Sequence, residues 1–214
     1  MANTHRFTRR EEISHAISHG IGAILSLAGL PILIVMAVMH GTAWHVVSFT
    51  IYGVSMLVLY MSSTLVHSFP PGRVKNLFEI FDHSAIYVFI AGTYTPYLLT
   101  VLRSPLGWTM FGIMCGLTVL GIVFKVFFVQ RFLYLSTLLY VLMGWLIIFA
   151  WKPLTAVYPE GGIALLMIGG VLYSIGAIFY VWRGFHYHHF VWHLFVLAGS
   201  IFHYFAILIY LLPR

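Results

Sequence analysis

The chain has 214 residues, of which 61% are hydrophobic and only 7% charged, and its formal net charge is +6. A soluble domain carries roughly 25% charged residues, so the composition excludes a water-facing surface and leaves no room for a soluble domain. It predicts an all-α polytopic membrane protein, a single transmembrane domain over 1–214 with about seven spans, since each crossing takes about 20 apolar residues. The excess positive charge does not point to nucleic acid, because the basic residues stand singly at the ends of apolar runs rather than in a patch with interleaved aromatics.

In chain order, a short segment of residues 1–14 containing Arg6 to Glu12 precedes the first span, expected over about Ile17 to Met39. That run is too long for the core of a cleavable signal, so it is expected to stay in the protein. The second span covers about His45 to Val66, and Pro70-Pro71-Gly72 stops any helix after it. The third runs from about Ile80 to Val101, with a kink expected at Pro96. The fourth covers about Leu106 to Phe127 and the fifth about Phe132 to Trp151, followed by a short loop between Pro153 and Pro159. The sixth covers about Gly162 to Trp182 and the seventh about Phe190 to Leu212. Gly112, Gly116 and Gly121 in the fourth span, and Gly169, Gly170 and Gly176 in the sixth, are expected to let helices approach closely. Cys115, the single cysteine, excludes an intrachain disulfide and reads as a small apolar side chain.

With seven spans, Arg6, Arg9, Arg10, Arg73, Lys75, Lys125, Arg131 and Arg183 share one side of the membrane, and Arg103, Lys152 and Arg214 the other. The richer side is expected to be cytoplasmic, which places the N-terminus inside and the C-terminus outside.

Ionisable residues at membrane depth are costly and point to function. The sequence has five acids and twelve histidines. Ser63 and His67 close the second span at i, i+4, on one helix face. Asp82 and His83 open the third, His189 and His193 open the seventh at i, i+4, and His15 and His19 open the first with the same spacing. The seven-span topology brings all of these to the cytoplasmic leaflet. An i, i+4 histidine pair is a bidentate metal arm, and His67 supplies a third nitrogen. Three protein ligands and one open position are the pattern of a catalytic zinc site. Asp82 is then placed to manage a proton, and Ser63 to orient water or substrate oxygen. His15 and His19 stay open between a cavity-lining role and none, because three nitrogens already suffice. His40, His45, His186 and His188 read as interfacial anchors or satisfied polar groups. His203 lies about 15 Å further along the seventh helix than His193 and reads as an interhelical hydrogen bond.

The segments EEISHAISHGIG from Glu11, SSTLVHSF over Ser62 to Phe69, FDHSAIYVFIAGTYTP over Phe81 to Pro96 and HHFVWHLFVLAGSIFH over His188 to His203 carry a resemblance over nearly the whole chain. It resembles the hemolysin III family, the bacterial branch of the progestin and adipoQ receptor superfamily. The family pattern of Ser-x-x-x-His, then Asp, then His-x-x-x-His matches Ser63 and His67, Asp82, and His189 and His193. The resemblance implies seven helices with an intracellular N-terminus, zinc held by the three histidines, and an Asp near a zinc-bound water. Receptor members carry a long N-terminal tail, and this chain has almost none, which fits a multi-pass protein of the bacterial inner membrane. The ordering of the residues also resembles alkaline ceramidases, which cleave lipid amides.

The functional expectation is a zinc-dependent hydrolase of a lipid amide or ester, with membrane lipid as its substrate or ligand. The alternative is a non-enzymatic sensor of membrane lipid whose zinc is a structural staple. A transporter should place ligands at several depths, and here the outer leaflet is almost bare of acids and paired histidines. A secreted cytolysin needs a soluble form, for which the chain is too apolar.

Overall fold

The computed structural model describes residues 7–213. Among them every regular element is helical: α1 (Arg9–His40), α2 (Ala43–Ser68), α3 (Arg73–Leu99), α4 (Pro105–Phe128), α5 (Leu133–Gly144), a 3₁₀ turn (Trp145–Ala150), α6 (Trp151–Val157), α7 (Glu160–Val181) and α8 (His188–Tyr210). Arg6 and Arg214, counted for orientation above, lie outside the described residues.

Among the described residues, six helical segments are long and apolar enough to cross a membrane: α1, α2, α4, the continuous stretch Leu133–Val157, α7 and α8. The third expected span is a helix of 27 residues, but it is not among these six. The packing explains why. Helix α1 packs on α2 and α8, α2 on α3, α3 on α5, α5 on α7 and α7 on α8, which closes a ring of helices. Helix α4 lies outside that ring, against α3. Helix α3 is therefore covered by α2, α4 and α5, and Thr93, Tyr94, Thr95 and Tyr97 are buried on it. A helix clad in protein does not need an apolar face for lipid. Helix α4 shows the opposite case: Val119, Leu120, Val123 and Phe127 are exposed.

Several boundaries moved. Helix α1 starts at Arg9, eight residues before Ile17, because Thr8 and Glu11 form a capping box. Thr8 N–H donates to Glu11 Oε2 at 2.8 Å and Glu11 N–H to Thr8 Oγ1 at 3.3 Å. Helix α3 starts at Arg73, directly after the Pro-Gly turn, and runs through Pro96. The loop expected from Pro153 is helix: Pro153 sits in the first turn of α6, where its missing N–H costs nothing. The interruption lies earlier instead. The Tyr94 hydroxyl donates to Gly144 O at 2.6 Å and accepts from Ile147 N–H at 2.7 Å, so a side chain from α3 is wedged into the helical ladder at the 3₁₀ turn.

The glycines divide. A Cβ on Gly121, Gly169 or Gly176 would run into Tyr87, His203 or Phe195, at 2.6, 2.1 and 2.7 Å. At Gly112 and Gly116 nothing lies within 4 Å, so those two serve no close approach. Cys115 is exposed.

Candidate metal centre

The site is assembled at the end of the bundle where α1 begins. The last turn of α2 carries His67, and the first two turns of α8 carry His189 and His193. One ligand atom from each of the three lies within 4.8 Å of the others. Ring centroids stand 5.3 Å apart for His67 and His189, 5.2 Å for His67 and His193, and 4.6 Å for His189 and His193. The three expected ligands thus converge from two helices far apart in sequence.

Their partners fix which nitrogen faces inward. His67 Nδ1 lies 2.7 Å from Glu12 Oε2. A carboxylate only accepts, so Nδ1–H donates to Glu12 and Nε2 is the nitrogen left to face inward. That Nε2 is buried and has no hydrogen-bond partner. His193 Nδ1 lies 3.0 Å from Ser18 Oγ, whose own proton goes to the His15 carbonyl at 2.9 Å. Ser18 therefore accepts from His193 Nδ1–H, and in this ring too Nε2 is the nitrogen left to face inward. Metal-bound histidines usually donate their other N–H to a carboxylate or hydroxyl in this way. The donor set fits a metal ion held by imidazole nitrogens.

Helix α1 supplies those outer partners, and spacing alone gave them no role. Glu12 bridges His67 and Lys75, with Lys75 Nζ donating to Oε1 at 2.6 Å. Glu11 Oε1 accepts from Tyr187 N–H at 3.0 Å. Tyr187 holds a left-handed backbone (φ 63°) just before α8, so Glu11 pins the turn that aims His189. The capping-box signature at Thr8 and Glu11 was the readable signal for a helix reaching this depth.

Ser63 lies one turn before His67, and its hydroxyl pairs with His19 Nδ1 at 2.6 Å. Asp82 and Ser63 line one cavity with His19, His189 and His193. The Asp82 carboxylate and His83 Nδ1 are 3.7 Å apart, but His83 is engaged elsewhere, with Glu79 O at 2.8 Å and Tyr180 Oη at 3.0 Å. Four of the expected site residues, Ser63, Asp82, His189 and His193, therefore border the same space, and His67 joins them through its ring contacts with His189 and His193.

That cavity is about 150 Å³ and runs from this cluster along the inside of the helix ring. Below the polar rim its walls are apolar, with Phe89, Ile90, Leu166, Met167 and Trp192 among them, and it reaches His203. Ten residues along α8 separate His193 from His203, about 15 Å of depth.

The other histidines resolve. His203 Nε2 meets Leu166 O on α7 at 3.0 Å, the interhelical bond expected of it. His45 and His188 are buried and hydrogen-bonded, the satisfied polar groups of one of the two expected readings. His45 joins α2 to the end of α8 through Leu211 O at 3.1 Å, and His188 Nδ1 meets Phe179 O at 3.2 Å.

A ring of membrane-length helices with a histidine cluster at one end defines a polytopic membrane protein with a candidate metal centre. The chain belongs to the haemolysin-III related family, whose model matches residues 7–204. It is 57% identical to Hemolysin-3 of Bacillus cereus, over 95% of this chain and 93% of that protein. It is 55% identical to the Hemolysin-3 homolog of Bacillus subtilis strain 168, over 95% and 96%. The human monocyte to macrophage differentiation factor is more distant, 27% identical over 85% of this chain and 79% of that protein.

Proposed function

We propose that the protein is a zinc-dependent hydrolase of a lipid amide or ester, working at the cytoplasmic leaflet of a bacterial inner membrane. The observation that carries this reading is the continuity between the histidine cluster and the apolar cavity. An acyl chain can lie in a dry channel about 15 Å deep while its carbonyl stops at the polar rim.

His67, His189 and His193 would hold the ion. When bound, zinc polarises a carbonyl and lowers the pKa of water towards about 7. Glu12 and Ser18 keep two of the rings oriented, with their inner nitrogens towards the ion. Asp82 on the cavity wall takes the proton of the attacking water and passes it to the leaving nitrogen or oxygen. Ser63, on the same wall, donates towards the carbonyl oxygen as charge develops on it. The apolar walls exclude bulk water from the chain of the substrate.

Helix α3 counts as the seventh span in this reading. Its 27 residues are about 40 Å long at 1.5 Å per residue, enough to cross inside its protein sheath. With seven spans, the eight-to-three division of basic residues puts the N-terminus in the cytoplasm. Reporter fusions at the C-terminus check this: an alkaline phosphatase should be active there and a fluorescent protein dark.

The decisive experiment measures zinc in the purified wild type and in His189→Ala, then hydrolysis of a panel of lipid amides and esters by wild type and Asp82→Ala. The expected result is zinc and turnover in the wild type, zinc loss in the first variant and turnover loss alone in the second. Zinc without turnover of any lipid tested would instead support a structural staple in a lipid sensor. Absence of zinc from the wild type would remove the metal site.

A further inference from the structure

We propose that the end of the bundle opposite the histidine cluster binds a phospholipid, with the phosphate on Arg103 and one acyl chain in a groove between α2 and α4. The site needs neither the metal nor hydrolysis, and it shares no lining residue with the cavity described above.

Helices α2 and α4 both pack on α3. Between them runs a groove of about 570 Å³. Ile51, Val54 and Val58 line it from α2, and Phe111, Cys115 and Val119 from α4. Each wall is one helix face that continues to a tryptophan: Trp44, Ile51 and Val58 stand at i, i+7 and i+14, and Trp108, Phe111 and Cys115 at i, i+3 and i+7. Trp44 opens α2 where His67 closes it, so the tryptophans mark the far end of the bundle. Their rings meet across the top of the groove with centroids 5.7 Å apart, and Trp108 also meets Phe111 at 6.0 Å. Arg103, in the turn before α4, lies over the Trp44 ring at 5.1 Å.

Hydrogen bonding, length and charge together select the occupant. Four hydroxyls border the groove, and each donates to a carbonyl of its own helix: Thr50 to Val46 at 2.7 Å, and Ser55 to Tyr52, Thr95 to Ala91 and Thr118 to Met114 at 2.8 Å. With those protons spent, a polar ligand would lose its water and gain little in return, whereas a hydrocarbon chain loses nothing.

The rise from Trp44 to Val58 is about 21 Å, and from Trp108 to Val119 about 16 Å, at 1.5 Å per residue. Half of a bilayer's hydrocarbon core is about 15 Å. The groove therefore serves one leaflet, as a lipid chain does. A helix of a second copy would need a face running the full thickness of about 30 Å.

Arg103 supplies the charge. It is exposed, and among the described residues the ion pairs lie at the other end of the bundle, on Glu12 and Asp82. Stacking on Trp44 uses the flat face of the guanidinium and leaves its N–H edge for an anion. That edge matches phosphate, and tryptophans sit at the level of lipid headgroups. Helix α4 lies outside the ring of helices, so a chain held in the groove also ties it to α2.

Native mass spectrometry of the full-length protein in detergent counts retained lipid, with phosphatidylglycerol and a diacylglycerol of the same chains as probes. The wild type should retain one phosphatidylglycerol per chain and no diacylglycerol. Arg103→Gln should weaken phosphatidylglycerol binding about 5-fold, while Lys152→Gln, which removes an exposed charge on α6, should leave it unchanged. Cys115 is exposed, so Cys115→Trp fills the groove without entering the core and should abolish retention. Val54→Trp fills it from α2 and decides the outcome if the first variant does not fold. Cys115→Ala keeps the groove open and should retain lipid. Equal retention in the wild type and the filled variants overturns the proposal, as does diacylglycerol binding as tightly as phosphatidylglycerol. Equal weakening by Lys152→Gln, or a filled variant that splits a dimer and keeps its lipid, overturns it as well.

Discussion

Helix α2 carries a histidine near each end, and the two behave differently. At its start, His45 Nδ1 accepts from Thr42 N–H at 3.1 Å in a capping box, and Nε2 reaches Leu211 O at 3.1 Å. Both nitrogens are spent on backbone, and the ring joins the beginning of α2 to the end of α8. At the other end, Glu12 holds one nitrogen of His67 while the other is buried without a partner. Burial alone does not separate the two. What separates them is whether the hydrogen-bond inventory closes. A closed inventory marks a structural histidine, and an open one, among other open imidazoles, marks a place prepared for an ion.

The sharpest break of this comparison is His189→Ala. It should reduce bound zinc from roughly one per chain to about a tenth of that or less, read by elemental analysis, since loss of a ligand exceeds the 10- to 100-fold cost of losing an outer partner. Zinc should also cease to protect the variant from heat. A ligand present at a hundred times its Kd stabilises by about 2.7 kcal/mol, and the variant should lose that increment. Equal zinc in both proteins would break the comparison at its root.

Next in size is Glu12→Gln. The amide can donate as well as accept, and it no longer holds the His67 proton on Nδ1 with a charge. Zinc affinity should fall about 10- to 100-fold, measured by chelator competition, while the helical circular dichroism stays as in the wild type. An unchanged affinity would mean that the carboxylate serves Lys75 alone.

His45→Ala tests the opposite side and should leave zinc content and affinity untouched. It removes a cap, worth about 0.5–2 kcal/mol, and an interhelical bond averaging about 0.6 kcal/mol inside membranes. The expected loss of stability is about 1–2 kcal/mol, read from thermal unfolding in detergent. A drop in zinc affinity with this variant would show that an ion site cannot be told from a cap by counting partners.

Much of this was legible beforehand. The seven helical segments, the histidine pairs and their common end follow from apolar run length and i, i+4 spacing, because both are local properties. Three things were not. The third span was legible as a helix, but why it tolerates so many polar residues is explained only by the packing of α2, α4 and α5 around it. Glu12 and Ser18 became partners of His67 and His193 through contacts between residues 55 and 175 positions apart, which no spacing rule encodes. His15 was set aside because three nitrogens suffice for a zinc site, and its missing hydrogen bonds exist only in three dimensions. The capping box at Thr8, by contrast, is a local Thr-x-x-Glu pattern that the sequence itself displays.

The smallest expected effect belongs to His203, which separates two parts of the comparison. One of its nitrogens is bound to Leu166 O, and the other, Nδ1, is buried with no partner. By inventory it resembles His67. It differs in company, because the aromatic ring packed on it is Tyr173, centroid to centroid 5.3 Å, and not another imidazole. An unpartnered nitrogen should therefore bind an ion only where further imidazoles converge on the same point. His203→Asn should cost about 1 kcal/mol from the weakened interhelical bond and leave zinc content and affinity at the wild-type level. If the variant lost zinc as His189→Ala does, the cavity floor would belong to the metal centre, and convergence would not be the property that distinguishes the two ends of α2.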